Sequence, residues 1–213
     1  MLPDHLRVLY LHGFASGPHS RKARFFAEKL SAAGVRVEIP TLDEGHFQNL
    51  TITGQLQVVD RAVDGDAAIL IGSSLGGYLA ALYAADHPQI SRLLLLAPAF
   101  RFHSLWTTRM EAEQLQSWRK NGSLPIFNYA AGREMSIGYQ LMEDSMRYQP
   151  APDFSQPALI FHGTQDPYVP VQYSEEFVES HPNAHLIRMN SGHELTDVLD
   201  SIWNQSSAFL LGR

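Results

Sequence analysis

Residues 69–82, "ILIGSSLGGYLAAL", set two adjacent serines between an apolar run and an alanine-rich one. The five apolar residues before the turn suit a buried strand, and the run after it starts a helix at once. A residue raised on such a tight strand-to-helix turn sits in a strained backbone conformation, and bulky side chains two positions before or after it would collide. Ser74 has Gly72 and Gly76 at those positions, which completes the pattern G-x-S-x-G. Ser73 would have Ile71 and Leu75 there, which do not fit. The spacing therefore singles out Ser74 as a nucleophile and makes Ser73 its neighbour on the turn. A bare G-x-S-x-G recurs by chance, and a plain glycine-rich turn is the alternative; the strand-turn-helix setting carries the reading.

Outward from this turn, short β-rich runs alternate with helical ones, the pattern of a parallel sheet with helices on both faces. The runs 7–11, 35–39, 67–72, 92–97, 158–162 and 184–189 read as strands, most of them apolar on both faces, as befits strands buried between two helical layers. "SRKARFFAEKLSAAG" reads as a helix with Gly34 past its C-terminus; Ile52, Leu56, Val59 and Val63 mark one face of a second. Leu75 to Asp86 forms a third, nearly all apolar and therefore central, ended by His87-Pro88.

About sixty residues separate the fourth strand from the fifth, too many for an ordinary crossover. They need structure of their own. Thr108 and Glu111 are spaced as a capping box opening "RMEAEQLQSWRKNG", with Gly122 as the stop. "LPIFNYAAGREMSIGY" fits a hairpin turning at Gly132, and "YQLMEDSMRY" a further helix before Pro150. The expectation is one domain over residues 1–213, with a cap at about 100–150 laid over one end of the sheet.

A serine hydroxyl needs a histidine to take its proton and a carboxylate to orient that histidine. In a parallel sheet both must come from loops after the carboxyl ends of strands. Asp166 follows the strand "ALIFHG", and His193, in "SGHEL", follows the strand "AHLIRMN" just before the final helix. Taken singly, Asp166 could merely start a turn at Pro167, and His193 could be a polar residue near a helix start. A tetrahedral intermediate also needs N–H donors: Leu75, after the nucleophile, and Phe14, after Gly13 in the first loop, are the candidates. His12, at the end of a buried strand, reads as a residue tying down that loop rather than as a base. His181 and His185 flank a Pro-Asn turn with no carboxylate at ligand spacing, so no metal and no cofactor are expected.

Composition narrows the partners. A net charge of −6 and no cluster of Lys and Arg speak against nucleic acid or an anionic membrane. With no cysteine there is neither a disulfide framework nor a thiolate site. The early acidic residue and the apolar run from Leu6 leave no room for a cleavable leader, so a cytoplasmic location is expected.

"LHGF", "GSSLGG", "HGTQDPYVP" and "SGHEL", in that order, resemble the α/β-hydrolase superfamily over nearly the whole chain apart from the cap. "GSSLGGYLAAL" with its short lead-in is similar to small bacterial esterases of the YqiA type, while the cap and the "HGTQDPYVP" loop look closer to a related branch of acyl-protein thioesterases. The resemblance implies a six-stranded, mainly parallel sheet and a serine hydrolase with Ser74 as nucleophile, His193 as base, Asp166 as orienting acid, and Phe14 and Leu75 as oxyanion donors. It implies hydrolysis of a small-molecule acyl ester through an acyl-enzyme, with an acyl thioester as the runner-up. No "HGGG" follows the first strand, which separates the chain from the lipases that carry that motif. Phe14, Phe100, Trp106, Tyr168 and Val169 are candidates for an apolar pocket taking a small or medium acyl chain, with ordinary cap packing as the alternative for each. A binding protein on an idle hydrolase scaffold is the rival of another class.

Overall fold

The structure is a computed structural model and describes residues 7–212; the reading of the first six residues lies outside them. Six parallel strands form the main sheet: β1 (Arg7–Leu11), β2 (Arg36–Glu38), β3 (Ala68–Ser73), β4 (Ile90–Leu96), β7 (Ala158–Gly163) and β8 (Ala184–Met189). Their order across the sheet is β2-β1-β3-β4-β7-β8. The chain moves outward from β1 to β2 and then returns to the other side of β1 to lay down β3, so the winding reverses between β1 and β3. Ligand crevices form at such a reversal, outside the carboxyl ends of the strands.

Side chains alternate across each strand and divide the core in two. Val8, Tyr10, Ile69, Ile71, Leu94, Leu96 and Phe161 face α1 (Arg21–Ala32) and α8 (Leu199–Leu211), packing with Phe26, Ile202 and Leu210. Leu9, Leu11, Leu70, Leu93, Leu95 and Ile160 face the other way, toward α2 (Ile52–Val63), α3 (Leu75–Asp86) and α7 (Val171–Ser180). The middle helix of this layer, α3, is buried on all sides from Leu75 to Ala84, which is why its sequence shows no polar face. The expected class, a mainly parallel α/β sheet with a cap after the fourth strand, is the one observed.

The cap comprises α4 (Phe102–Arg109), α5 (Ala112–Asn121), a hairpin of β5 (Ser123–Asn128) and β6 (Arg133–Gly138), and α6 (Gln140–Ser145). The hairpin turns at Gly132, whose φ of 65° suits glycine. The capping box expected at Thr108 and Glu111 does not form. Thr108 belongs to the last turn of α4, where its hydroxyl donates to the Ser104 carbonyl at 2.7 Å, and α5 starts at Ala112 with no side-chain cap from Glu111. Met110, extended at φ −91° and ψ 140°, breaks the segment into two helices. Burial of Phe102 and Leu105 against the main core anchors the first of them.

The hairpin tip rests on the loop after β1, where the N–H of Tyr129 donates to the Ala15 carbonyl at 2.8 Å. Trp118 is the cap's own core, 1% exposed, with its indole N–H donating to the Ile137 carbonyl at 3.0 Å. Among the described residues no helix is long and apolar enough to cross a membrane.

Candidate active site

Ser74 stands between β3 and α3 with φ 54° and ψ −117°, a conformation that costs a non-glycine residue roughly 1–3 kcal/mol. The surroundings over-determine it. Its N–H donates to the Leu96 carbonyl at 2.9 Å, and its carbonyl accepts from Gly77, Tyr78 and Ala99 at 2.9, 3.1 and 3.0 Å. A Cβ on Gly72 would sit 2.3 Å from the Gly76 carbonyl oxygen, and one on Gly76 would sit 2.1 Å from that of Leu11. Both glycines are thus required by close backbone approach. Ser73 continues the Ile69–Ile71 face of β3, is 3% exposed, and lies beside Tyr10 on that same face.

The loop after β7 places Asp166. Its side chain is fully buried, Oδ1 accepts from the N–H groups of Tyr168 and Val169 at 2.8 and 2.9 Å, and Oδ2 accepts from His193 Nδ1 at 2.6 Å. His193 Nε2 lies 3.0 Å from Ser74 Oγ. Because an ionised carboxylate only accepts, Nδ1 carries the proton and Nε2 is free to accept from the serine hydroxyl. Burial by itself would raise the Asp166 pKa. Hydrogen bonds from His162 and His193, electrostatic attraction toward the His193 ring and the Val169 N–H outweigh it and hold the carboxyl well below the usual carboxylate range.

Two further residues build this arrangement. His162, the penultimate residue of β7, is fully buried; Nδ1 accepts from Ser174 Oγ at 2.8 Å, and Nε2 faces both the Val169 carbonyl at 2.9 Å and Asp166 Oδ2 at 3.3 Å. It braces the Asp166 carboxylate. The sequence reading takes this histidine only as a strand residue, although its place four positions before Asp166 was the available signal. Gly163 lets the two loops meet, since a Cβ there would lie 2.4 Å from the Ser191 carbonyl oxygen. His193 itself lies farther from the final helix than expected: a turn through residues 194–198 intervenes before α8.

The loop after β1 borders Ser74, with the Cβ position of Gly13 3.4 Å from Ser74 Cβ. Among the described residues neither the Phe14 nor the Leu75 N–H donates to a protein acceptor. His12 Nδ1 donates to the Gly13 carbonyl at 3.0 Å and Nε2 accepts from the Leu42 N–H at 3.3 Å; burial pushes its pKa down, consistent with a neutral ring that ties the loop.

Of the five pocket candidates, Tyr168 touches His193, Phe14 sits in the loop beside Ser74, and Trp106 packs on Phe14. Phe14 and Trp106 are half-buried and meet edge-to-face at 5.3 Å, and Tyr168, 56% exposed, meets the His193 ring edge-on at 5.5 Å. Phe100 and Val169 are corrections. Phe100 is 1% exposed and stacked on Phe177 at 4.2 Å, so it packs the core beneath α7 instead of lining a surface. Val169 is 3% exposed and serves through its backbone, which holds Asp166 and His162.

The doubly wound sheet, the strained serine after its third strand and the loops that meet it define an α/β-hydrolase fold. The chain belongs to the uncharacterised protein family UPF0227, whose model matches residues 7–210. A provisionally assigned hydrolase from Agrobacterium vitis superposes with a TM-score of 0.84 at 24% identity, covering 98% of this chain and 88% of that one. Mouse α/beta hydrolase domain-containing protein 10 follows with 0.79 at 18% identity, covering 98% and 92%. Est1E from Butyrivibrio proteoclasticus gives 0.78 at 22% identity, covering 97% and 87%. Comparison with curated protein sequences finds no significant match.

Proposed function

We propose that this protein is a serine hydrolase that cleaves carboxylic esters of small to medium acyl chains through an acyl-enzyme. The observation that carries the reading is the continuous relay from Asp166 Oδ2 to His193 Nδ1 at 2.6 Å and from His193 Nε2 to Ser74 Oγ at 3.0 Å. In this reading Ser74 Oγ attacks the carbonyl carbon while His193 Nε2 takes its proton. The Phe14 and Leu75 N–H groups stabilise the oxyanion of the tetrahedral intermediate. His193 then returns the proton to the departing alkoxide. Water, deprotonated by the same nitrogen, attacks the acyl-serine and releases the acid. Asp166 stays ionised throughout and favours the imidazolium formed at each step.

Labelling with a fluorophosphonate probe, together with turnover of p-nitrophenyl acetate, tests this. Labelling and turnover that both vanish in Ser74→Ala support it. A folded wild type that takes no label would be a binding protein on a hydrolase scaffold. The same groups would cleave a thioester, and matched kinetics on a butyryl ester and its thioester set the class: a strong thioester preference replaces the ester assignment.

A further inference from the structure

We propose that Arg109 is an anion subsite on the leaving-group side of Ser74, selecting esters or thioesters whose alcohol or thiol portion carries a carboxylate or phosphate. This rests on the serine-hydrolase reading and names the substrate class.

A surface arginine is ordinarily a mobile, solvated cation. Arg109, at the end of α4, is instead held in place. Its Nη1 donates to the Tyr168 carbonyl at 2.5 Å, and its guanidinium lies over the Tyr168 ring, 5.4 Å from the centroid. Tyr168 is fixed in turn: its N–H donates to Asp166 at 2.8 Å and its ring meets the His193 ring at 5.5 Å. One aromatic ring therefore separates a pinned guanidinium from the general base. Among the described residues no carboxylate pairs with Arg109, a state it shares with Arg21, Arg24, Arg36, Arg92, Arg119 and Arg133; what sets it apart is its contact with Tyr168 next to His193.

Geometry also assigns the side. The leaving group takes its proton from His193 Nε2, so it departs along the histidine. Tyr168 meets that histidine and Arg109 lies against Tyr168, while half-buried Phe14, in the loop after β1, meets half-buried Trp106. An apolar acyl group with an anionic leaving portion matches both flanks. The planar guanidinium fork suits either a carboxylate or a phosphate, bound through two parallel N–H···O contacts.

Three acetate esters with the same acyl group separate these features: 4-acetoxyphenylacetate, 4-acetoxybenzyl phosphate and the neutral methyl ester of the first. Wild type, Arg109→Gln and Arg109→Lys are compared by kcat/KM. The wild type is expected to prefer at least one ionised ester over the neutral one. Arg109→Gln should cut that preference about tenfold, chiefly through KM, and Arg109→Lys should keep part of it. Raising the ionic strength should shrink the preference in wild type. Which ionised ester loses more identifies the group recognised. A wild type that takes the fluorophosphonate label but shows no preference, or whose preference survives Arg109→Gln, overturns the subsite alone. The absence of both labelling and turnover of any ester overturns the serine-hydrolase reading, and the subsite falls with it.

Discussion

Ser74 is held at φ 54° by four backbone hydrogen bonds and two glycines that admit no Cβ, so its hydroxyl is positioned before any substrate arrives. Ser74→Ala is expected to lower kcat for p-nitrophenyl acetate by about 10⁴-fold or more, with the protein still folded by circular dichroism. Ser73→Ala, buried on the opposite face of β3, should keep most of the activity; its complete loss would place the nucleophile on the wrong serine. His162 touches Asp166 rather than the reacting atoms, and is a positioning residue. His162→Leu should reduce kcat by roughly ten- to a hundredfold while KM changes little, and His162→Gln, which restores a donor, should recover part. The residue types at Ser74, Asp166 and His193 were legible because each follows a strand. His162 was not, because its hydrogen-bond partners, Ser174 and Val169, come from the next helix and loop.

Elements of the sheet were readable from local pattern: the central strands, buried on both faces, are mostly apolar, and six β-rich runs coincide with the six parallel strands to within one or two residues at their ends. The cap was readable only in part. Its hairpin carries its own turn chemistry at Gly132, but α4 and α5 share a stretch whose Thr108–Glu111 spacing mimics a single helix start. What separates them is the docking of Phe102 and Leu105 into the main core, a contact that local spacing does not encode. The cap is held by its own packing as well. Trp118, wedged between Trp106 at 5.4 Å and Tyr139 at 5.5 Å, is its centre. Trp118→Ala should destabilise the protein by about 3–5 kcal/mol, measured by urea unfolding. A change below about 1 kcal/mol would show that the cap does not share the cooperative core.

At the scale of the whole molecule, the parallel sheet brings the ends of β1, β3, β7 and β8 to one edge, and there Asp166 becomes a buried, well-bonded carboxylate. This ties stability to pH. The folded state holds the Asp166 pKa below its unfolded value of about 3.9, so the unfolded chain binds the proton more readily. Its contribution is therefore fully present above the ordinary carboxylate range and is lost as the pH falls toward the depressed folded value. Unfolding free energies from urea titrations between about pH 3 and 7 should decline less steeply on the acid side in Asp166→Asn than in wild type. An equal decline would mean that the carboxylate carries no pH-linked stability.

The amino-acid sequence determined the alternation of strands and helices, the two glycines around Ser74 and the order in which serine, aspartate and histidine follow their strands, because these depend on periodicity and on sterics a few residues apart. Tertiary structure alone decided that Phe100 and Val169 turn into the core, that His162 braces Asp166, and that Arg109 of the cap stacks on Tyr168 beside His193. Each of those outcomes joins residues from different elements, and only the packed sheet and cap set the distances between them.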